Sequence, residues 1–80
     1  MDDLQIVARI GELTDEEHAL ERAHTGTALS DVELARLRAI EVALDQCWDL
    51  LRQRRARRDA GEDQNEAVVR PEGVVEGYQQ

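Results

Sequence analysis

The sequence predicts an all-α protein: an antiparallel two-helix hairpin with a long second helix and an extended C-terminal tail. Two stretches carry apolar residues three and four positions apart, which is the period of an amphipathic helix. The connector between them is so short that the two helices must be antiparallel neighbours. We therefore expect a helical hairpin over residues 1–60, with helices at 3–24 and 31–60, followed by an acidic linker and extended tail at 61–80.

The first helix, residues 3–24, begins at a good capping residue and carries one apolar stripe. Asp2 or Asp3 can cap its amino end and complement the helix dipole. The opposite side is charged, so the stripe should face a partner while the charged side faces water. The stripe that we expect to be buried consists of Ile6, Ile10, Leu13 and Leu20, widened by Leu4 and Val7.

The second helix, residues 31–60, has the best-defined ends in the sequence. Ser30 followed by Glu33 makes a capping box, and Gly61 suits the first position after the helix. The apolar face predicts Trp48 as a core anchor and Cys47 as a small buried hydrophobe. Glu41, the one acid on this face, is either a rim residue or a buried acid paired across a dimer. The face consists of Leu34, Leu37, Ile40, Glu41, Leu44, Cys47, Trp48 and Leu51.

A two-helix hairpin leaves much of each apolar face uncovered. Pairing residues whose numbers add up to about 54 places Ile6 beside Trp48 and Ile10 beside Leu44, and the second helix then extends beyond the first. A chain of this length buries only roughly 60% of its surface, so a single core would be marginal. We therefore expect a homodimer in which two hairpins form a four-helix bundle with coiled-coil packing.

Charge is segregated along the chain, whose formal net charge is −8. Five arginines near the end of the second helix, which we call the arginine band, are Arg52, Arg54, Arg55, Arg57 and Arg58. Three interpretations stay open: ion pairs with acids of another subunit plus helix-dipole complementation, a surface for a protein partner, or contact with nucleic-acid phosphates. The acidic net charge, the absence of Lys and the lack of an interleaved aromatic residue weigh against phosphate contact.

The tail starts as an acidic linker and ends with two valine pairs on either side of Pro71. Pro71 forbids a helix through this point and holds Arg70 extended. The tail is either disordered or an extended strap docked on the helices, and the paired valines favour the strap. The linker also has the charge to fold back on the arginine band. Together with the band, the candidate interaction surface includes Val74, Val75 and Tyr78.

No residue pattern indicates a catalytic or cofactor-binding site. Glu21 and His24 have the Glu-x-x-His spacing of di-iron bundles, and Glu17 lies on the same side of the helix. These residues lie beside the connector and not in an apolar interior, so we interpret them as a solvated face and expect no metal or cofactor. The sequence also lacks a nucleophile–base pair or a phosphate loop, and we therefore expect no enzymatic activity.

Three features of the sequence indicate a cytoplasmic protein. Cys47 is the single cysteine and has no partner for an internal disulfide, which fits a reducing compartment. No apolar run is long enough to span a bilayer. The pattern of a signal peptide, with basic, apolar and small residues in turn, is also missing.

Three runs of residues carry a family resemblance that covers almost the whole chain. They are MDDLQIVARIGELTDEEH at 1–18, LDQCWDLLRQRRARR at 44–58 and VRPEGVVEGY at 69–78. In these runs the chain resembles a family of short actinobacterial proteins catalogued as domain of unknown function 2630. The resemblance implies that the tail belongs to the folded unit and that the protein is bacterial and cytoplasmic. It implies no activity, cofactor or catalytic residue.

The function that these features favour is protein–protein interaction or assembly without catalysis. The alternative is an accessory factor that associates with nucleic acid through the arginine band at Arg52–Arg58. The two functions differ in what the arginines contact: acidic protein groups in the first case, phosphates in the second. A structure that shows how the arginines are used therefore bears directly on this choice.

Overall fold

The computed structural model describes residues 1–23, 26 and 28–73, and it confirms the predicted all-α hairpin. Helix α1 spans Asp3–Ala23 and helix α2 spans Asp31–Asp59, and a short 3-10 helix follows at Gln64–Glu66. The described residues contain no strand. Each long helix ends one residue before the boundary that the sequence predicted. The tail runs back along α2 as far as Arg70, so it contacts the hairpin.

The amino end of α1 is capped by Asp2, one of the two acids that the sequence offered for this role. The Gln5 backbone N–H donates to Asp2 Oδ1 at 2.8 Å, and the Asp2 backbone N–H donates to Gln5 Oε1 at 2.9 Å. The two residues therefore satisfy each other's backbone donors in a reciprocal capping box. Asp3 is left free of capping and is available for contacts with α2.

Both ends of α2 form as predicted from local sequence. Ser30 Oγ accepts from the Glu33 backbone N–H at 3.2 Å, while Glu33 Oε1 accepts from the Ser30 N–H at 3.1 Å. At the other end Gly61 has φ +74°, a left-handed conformation that glycine adopts without strain. The Gly61 N–H donates to Arg58 O and the Glu62 N–H to Arg57 O, which is a Schellman motif. This motif reverses the chain and directs the linker back along α2.

The core is a narrow apolar seam between the two helices. Its buried side chains are Ile6, Ile10 and Leu13 from α1 and Ile40 and Leu50 from α2. Each such side chain contributes roughly 1.5–3 kcal/mol through burial. Further contacts come from the partly buried residues Leu44, Cys47, Leu51 and Ala67, so the tail also covers one edge of the seam.

Ion pairs at both ends of the seam fix the register of the hairpin. Arg36 Nη2 donates to Glu16 Oε1 at 2.6 Å near the connector, and Arg54 Nε donates to Asp3 Oδ1 at 2.5 Å at the far end. Both pairs lie close to the register in which residue numbers add up to about 54. Helix α2 extends past the start of α1, as expected.

Three residues predicted for the core are exposed, and for them the prediction was wrong. Trp48 is 49% exposed, Val7 is 54% exposed and Leu4 is 82% exposed. The reason is geometric: a helix packed against one neighbour buries a narrow stripe, and residues about 80° or more from that stripe leave the contact. The two helices bury each other along Ile6 and Ile40, which leaves a second apolar surface uncovered.

The shape of the chain is elongated. Its radius of gyration is 15.0 Å and its extents are 50 × 24 × 17 Å. A compact domain of this length would have a radius of gyration of about 12 Å. A single layer of two helices therefore exposes more of its surface than a compact fold of the same size.

Candidate interaction surfaces

The most deeply placed member of the arginine band is Arg54, which is only 4% exposed. Its guanidinium joins three parts of the chain. The Nε atom donates to Asp3 at the start of α1, while Nη1 donates to Gln64 O and to Asn65 Oδ1, each at 3.3 Å. The bond to Arg54 also holds the pKa of the Asp3 carboxyl below its usual value, with Arg58 adding to the effect and partial burial opposing it. Arg54 is therefore a structural residue.

Two further arginines of the band also bind groups within the chain. Arg58 Nη1 donates to Asp3 Oδ2 at 2.9 Å and to Gln64 Oε1 at 2.5 Å. Arg57 Nη1 lies 3.5 Å from Glu66 Oε2 of the linker. The acidic linker thus folds back on the band, as the sequence suggested it could. Arg55 is exposed and makes no ion pair with any other described residue.

A buried ion pair that sequence reasoning missed holds the tail on α2. Asp49 is fully buried, although it is an acidic residue. Arg70 of the tail approaches it with both arms of the guanidinium: Nε donates to Asp49 Oδ2 at 2.9 Å and Nη2 donates to Oδ1. These bonds, with a smaller contribution from Gln53, lower the pKa of the Asp49 carboxyl against the opposing effect of burial. The carboxylate is thus charged and paired.

Two glutamines on either side of Asp49 bind the backbone of the tail. Gln53 Nε2 donates to Val68 O at 2.6 Å, and Gln53 Oε1 accepts from the Val68 N–H at 3.4 Å. Gln46 Nε2 donates to Arg70 O at 3.3 Å. Residues three and four positions apart lie on one side of a helix, so Gln46, Asp49 and Gln53 together bind one segment of the extended tail. The signal that could have revealed this surface is the polar row Gln46, Asp49 and Gln53, which occupies one side of α2.

A groove of about 500 Å³ lies where the end of α2 meets the tail. Arg52, Arg57 and Arg70 line it together with Glu62. The Arg57 guanidinium is paired with Glu66 and the Arg70 guanidinium with Asp49. The groove is therefore a by-product of tail docking, with its positive charge largely compensated.

Helix α2 has one side that neither α1 nor the described part of the tail, residues 61–73, covers. Ile40 is buried in the seam, Gln53 faces the tail, and Trp48 lies about 80° around the helix from Ile40 and about 140° from Gln53. Residues seven positions apart share nearly the same direction on a helix, so Glu41 and Arg55 point the same way as Trp48. All three side chains are exposed.

Helix α1 presents exposed residues on this same side of the hairpin. In two antiparallel right-handed helices, a turn of about 100° past the line of contact leads to the same side on both. Val7 lies at this angle from Ile6, and the register places it beside Trp48. Apart from the neighbouring backbone of α1 itself, no described part of the chain lies within 4 Å of where a Gly11 side chain would begin. We call the exposed surface formed by Leu4, Val7, Gly11, Glu41, Trp48 and Arg55 the Trp48 face.

The remaining predicted site residues are placed as follows. Val74, Val75 and Tyr78 lie outside the described residues, as does His24 of the weak metal pattern. Glu17 is partly buried and Glu21 is exposed. Among residues 1–23, 26 and 28–73, no three His, Cys, Asp or Glu side chains are grouped closely enough to hold a metal ion. No helix in this part of the chain is long and apolar enough to cross a bilayer.

Cys47 has the properties of a packing residue. Burial raises the pKa of its thiol, and the charge of Arg9 offsets this only in part. Since the thiolate is the reactive form, we expect alkylation by iodoacetamide at pH 7.5 to be at least about tenfold slower in the folded protein than in urea. The rate of reaction with Ellman's reagent, compared between the folded protein and the protein in urea, is a second measurement of the same difference. Equal rates in both conditions would contradict burial of the thiol.

Three paired carboxyl groups predict acid sensitivity. Hydrogen bonds from Arg54, Arg36 and Arg70 lower the pKa values of Asp3, Glu16 and Asp49, respectively. A carboxyl whose pKa is lower in the folded state stabilises the fold above its unfolded value of about 4, and this contribution is lost as the pH falls through the folded pKa. We expect the melting temperature to be flat from about pH 7 to 5 and to fall steeply below about pH 4.

Circular dichroism melts at stepped pH values measure this dependence. The Asp49→Asn variant serves as the control, since it removes one of the three titrating groups and should have a shallower acid limb. A melting temperature that stays constant down to about pH 2 would contradict the assignment of these carboxylates as charged and paired.

Comparison with known proteins gives one family and a group of bacterial relatives. A family model described as "Protein of unknown function (DUF2630)" matches residues 2–80. The chain is 54% identical over 78 residues to an uncharacterised protein of Mycobacterium bovis, an alignment that covers 95% of this chain and 88% of the relative. An uncharacterised protein of Mycobacterium tuberculosis matches with the same identity and coverage. No solved structure matches the chain.

Proposed function

The chain belongs to the DUF2630 family, as its sequence suggested, and on this premise we propose that it is a non-catalytic protein–protein interaction or assembly module. The observation that supports the proposal is the Trp48 face. Trp48 and Val7 are about half exposed although each lies next to the core, and no part of residues 1–23, 26 and 28–73 covers them fully. Exposed aromatic side chains surrounded by polar groups are typical of protein-binding surfaces.

The use of the arginines also favours a protein partner over a nucleic acid. A phosphate-binding surface needs cations that face solvent. Arg54, Arg57 and Arg58 instead bind Asp3, Glu66 and Gln64 within the chain. The band is thus mainly a device for holding the amino end, α2 and the linker together. We further propose that the module acts in the cytoplasm, because its single cysteine fits a reducing compartment.

Affinity capture with matched variants tests the proposal. The tagged chain is incubated with a lysate of its own host, and retained proteins, including untagged copies of the chain, are identified by mass spectrometry. We expect at least one protein to be retained by the wild type and by Val32→Gln but lost with Trp48→Gln. Val32 is a suitable control because it is 80% exposed and lies on the opposite side of α2 from Trp48.

Two results would contradict the proposal. The first is a set of retained proteins that is the same for the wild type and for Trp48→Gln. The second is retention of nucleic acid that weakens steeply with salt and is lost with Arg55→Gln, because this pattern indicates phosphate binding. Circular dichroism establishes in each case that the variant is folded.

A further inference from the structure

We propose that the partner of the Trp48 face is a second copy of this chain, packed with the two α2 helices antiparallel and with Trp48 at the two-fold axis. This inference rests on the proposed function and specifies its partner. An interface between identical chains must be self-complementary: where residue i contacts residue j of the partner, j also contacts i. The Trp48 face has this property in two separate rows of residues.

The first row lies on α2 and is complementary in charge. Glu41, Trp48 and Arg55 are spaced seven residues apart, so they form a straight line of one acid, one aromatic residue and one base. When two such lines pair antiparallel about Trp48, Glu41 of each copy lies opposite Arg55 of the other. Neither Glu41 nor Arg55 forms an ion pair with any described residue of its own chain, and both are exposed. The row is thus complete only when two copies meet.

The second row lies on α1 and is complementary in size. Leu4, Val7 and Gly11 occupy the same side of the hairpin as Trp48. The register that sets Val7 beside Trp48 also sets Val7 near the same two-fold axis. Leu4 of each copy then lies opposite Gly11 of the other, where the absence of a side chain leaves room for it. Leu4 is 82% exposed in the single chain, and this contact would cover it.

The area of the proposed interface reaches the size of a specific contact. Pairing about Trp48 overlaps residues 37–59 of the two α2 helices, a length of about 33 Å, and residues 3–11 of the two α1 helices, a length of about 12 Å. With a helix width of about 11 Å, these overlaps offer about 500 Å² from each copy. The total of about 1,000 Å² is at the lower limit for a specific protein interface. The tail from Val68 to Arg70 lies on another side of α2, against Gln46, Asp49 and Gln53.

Charge reversal with exchange of partners tests the arrangement. In Glu41→Arg each interface would contain two Arg–Arg contacts, and in Arg55→Glu it would contain two Glu–Glu contacts. We expect the full-length wild type to be dimeric at about 50 µM and each variant to dissociate at least about tenfold more readily. Sedimentation velocity and light scattering measure the mass. Glu12→Arg is the matched control, because it reverses an exposed charge of α1 that lies about 140° around the helix from Val7.

An equimolar mixture of the two variants provides the decisive measurement. A chain with Arg at both positions meets a chain with Glu at both, so both ion pairs form and the mixture should be dimeric where each variant alone is not. Circular dichroism shows that every variant is helical. The emission of Trp48 should also shift to shorter wavelength as the wild-type concentration rises and the indole leaves water.

Three results would overturn the inference: a wild-type monomer at about 50 µM, charge-reversed variants that dimerise like the wild type, or a mixture that stays monomeric. If any of these occurs while Trp48→Gln still loses a protein captured from the lysate, the interaction module stands and only the identity of its partner is wrong. If capture and self-association both fail, the proposed function fails with it.

Discussion

Replacing Arg70 with Met is expected to detach the tail from α2 and to lower the free energy of unfolding by about 3 kcal/mol. The variant keeps an unbranched apolar side chain like the stem of Arg70 but leaves the fully buried Asp49 carboxylate without its cationic partner. A buried charge without a partner is costly, and the chain can avoid this cost only by letting water reach Asp49. The loss of stability therefore cannot exceed the free energy that docking of the tail contributes to the fold.

Urea denaturation and hydrogen exchange measure this effect. We expect a lower unfolding midpoint and a loss of protection at the Val68 amide, while the helices keep their circular dichroism signal. Arg38→Met is the control and should change stability by less than about 0.5 kcal/mol, because Arg38 is exposed. A variant with Asp49→Asn added to Arg70→Met should recover part of the loss, since it removes the unpaired charge. Equal stability of Arg70→Met and the wild type would contradict the buried pair.

Replacing Arg54 with Met is expected to lower stability by about 2–4 kcal/mol. The guanidinium is buried and bridges Asp3, Gln64 and Asn65, so one substitution loosens the start of α1 and the 3-10 helix together. An 80-residue protein has roughly 4–12 kcal/mol of stability in total. The change would thus remove a large fraction of it, although Asp3 is partly exposed and can regain water.

The neighbouring residue provides a matched control for this prediction. Arg55→Met makes the same substitution one position away. The Arg55 side chain is exposed and forms no ion pair with any described residue. Chemical denaturation at low protein concentration, where dimerisation is negligible, should show a large loss for Arg54→Met and a loss below about 0.5 kcal/mol for Arg55→Met. Similar losses for the two variants would show that the buried contacts of Arg54 contribute little.

The parts of the fold that the sequence predicted correctly depend on residues close together in the chain. The capping box at Ser30 and Glu33 spans three residues, and the left-handed Gly61 terminates the helix that precedes it. The α1 stripe of Ile6, Ile10 and Leu13 follows from the helical period. Such features need no knowledge of distant contacts.

The candidate surfaces could not be predicted in the same way, because they depend on how far the helix contact reaches around α2 and on a distant segment that covers Asp49. Hydropathy assigns Trp48 to the core and Asp49 to the surface, yet Trp48 is half exposed and Asp49 is buried. Arg70, which follows Asp49 by 21 positions, provides the charge that makes this burial favourable. No periodic pattern connects a residue of an extended tail with the side of a helix that it covers. The outward direction of Trp48 then leaves it available to a partner.

The ion pairs along the seam also suggest an order in which the chain assembles. Glu16 and Arg36 are 20 residues apart, whereas Asp3 and Arg54 are 51 apart. Since closing a longer loop costs more entropy, we expect the contacts near the connector to form first and the Asp3–Arg54 contact to form last. Contacts made after the transition state govern how fast a protein opens more than how fast it folds. The buried Arg54 cluster would then set the lifetime of the folded chain, while residues near the connector set the speed at which it forms.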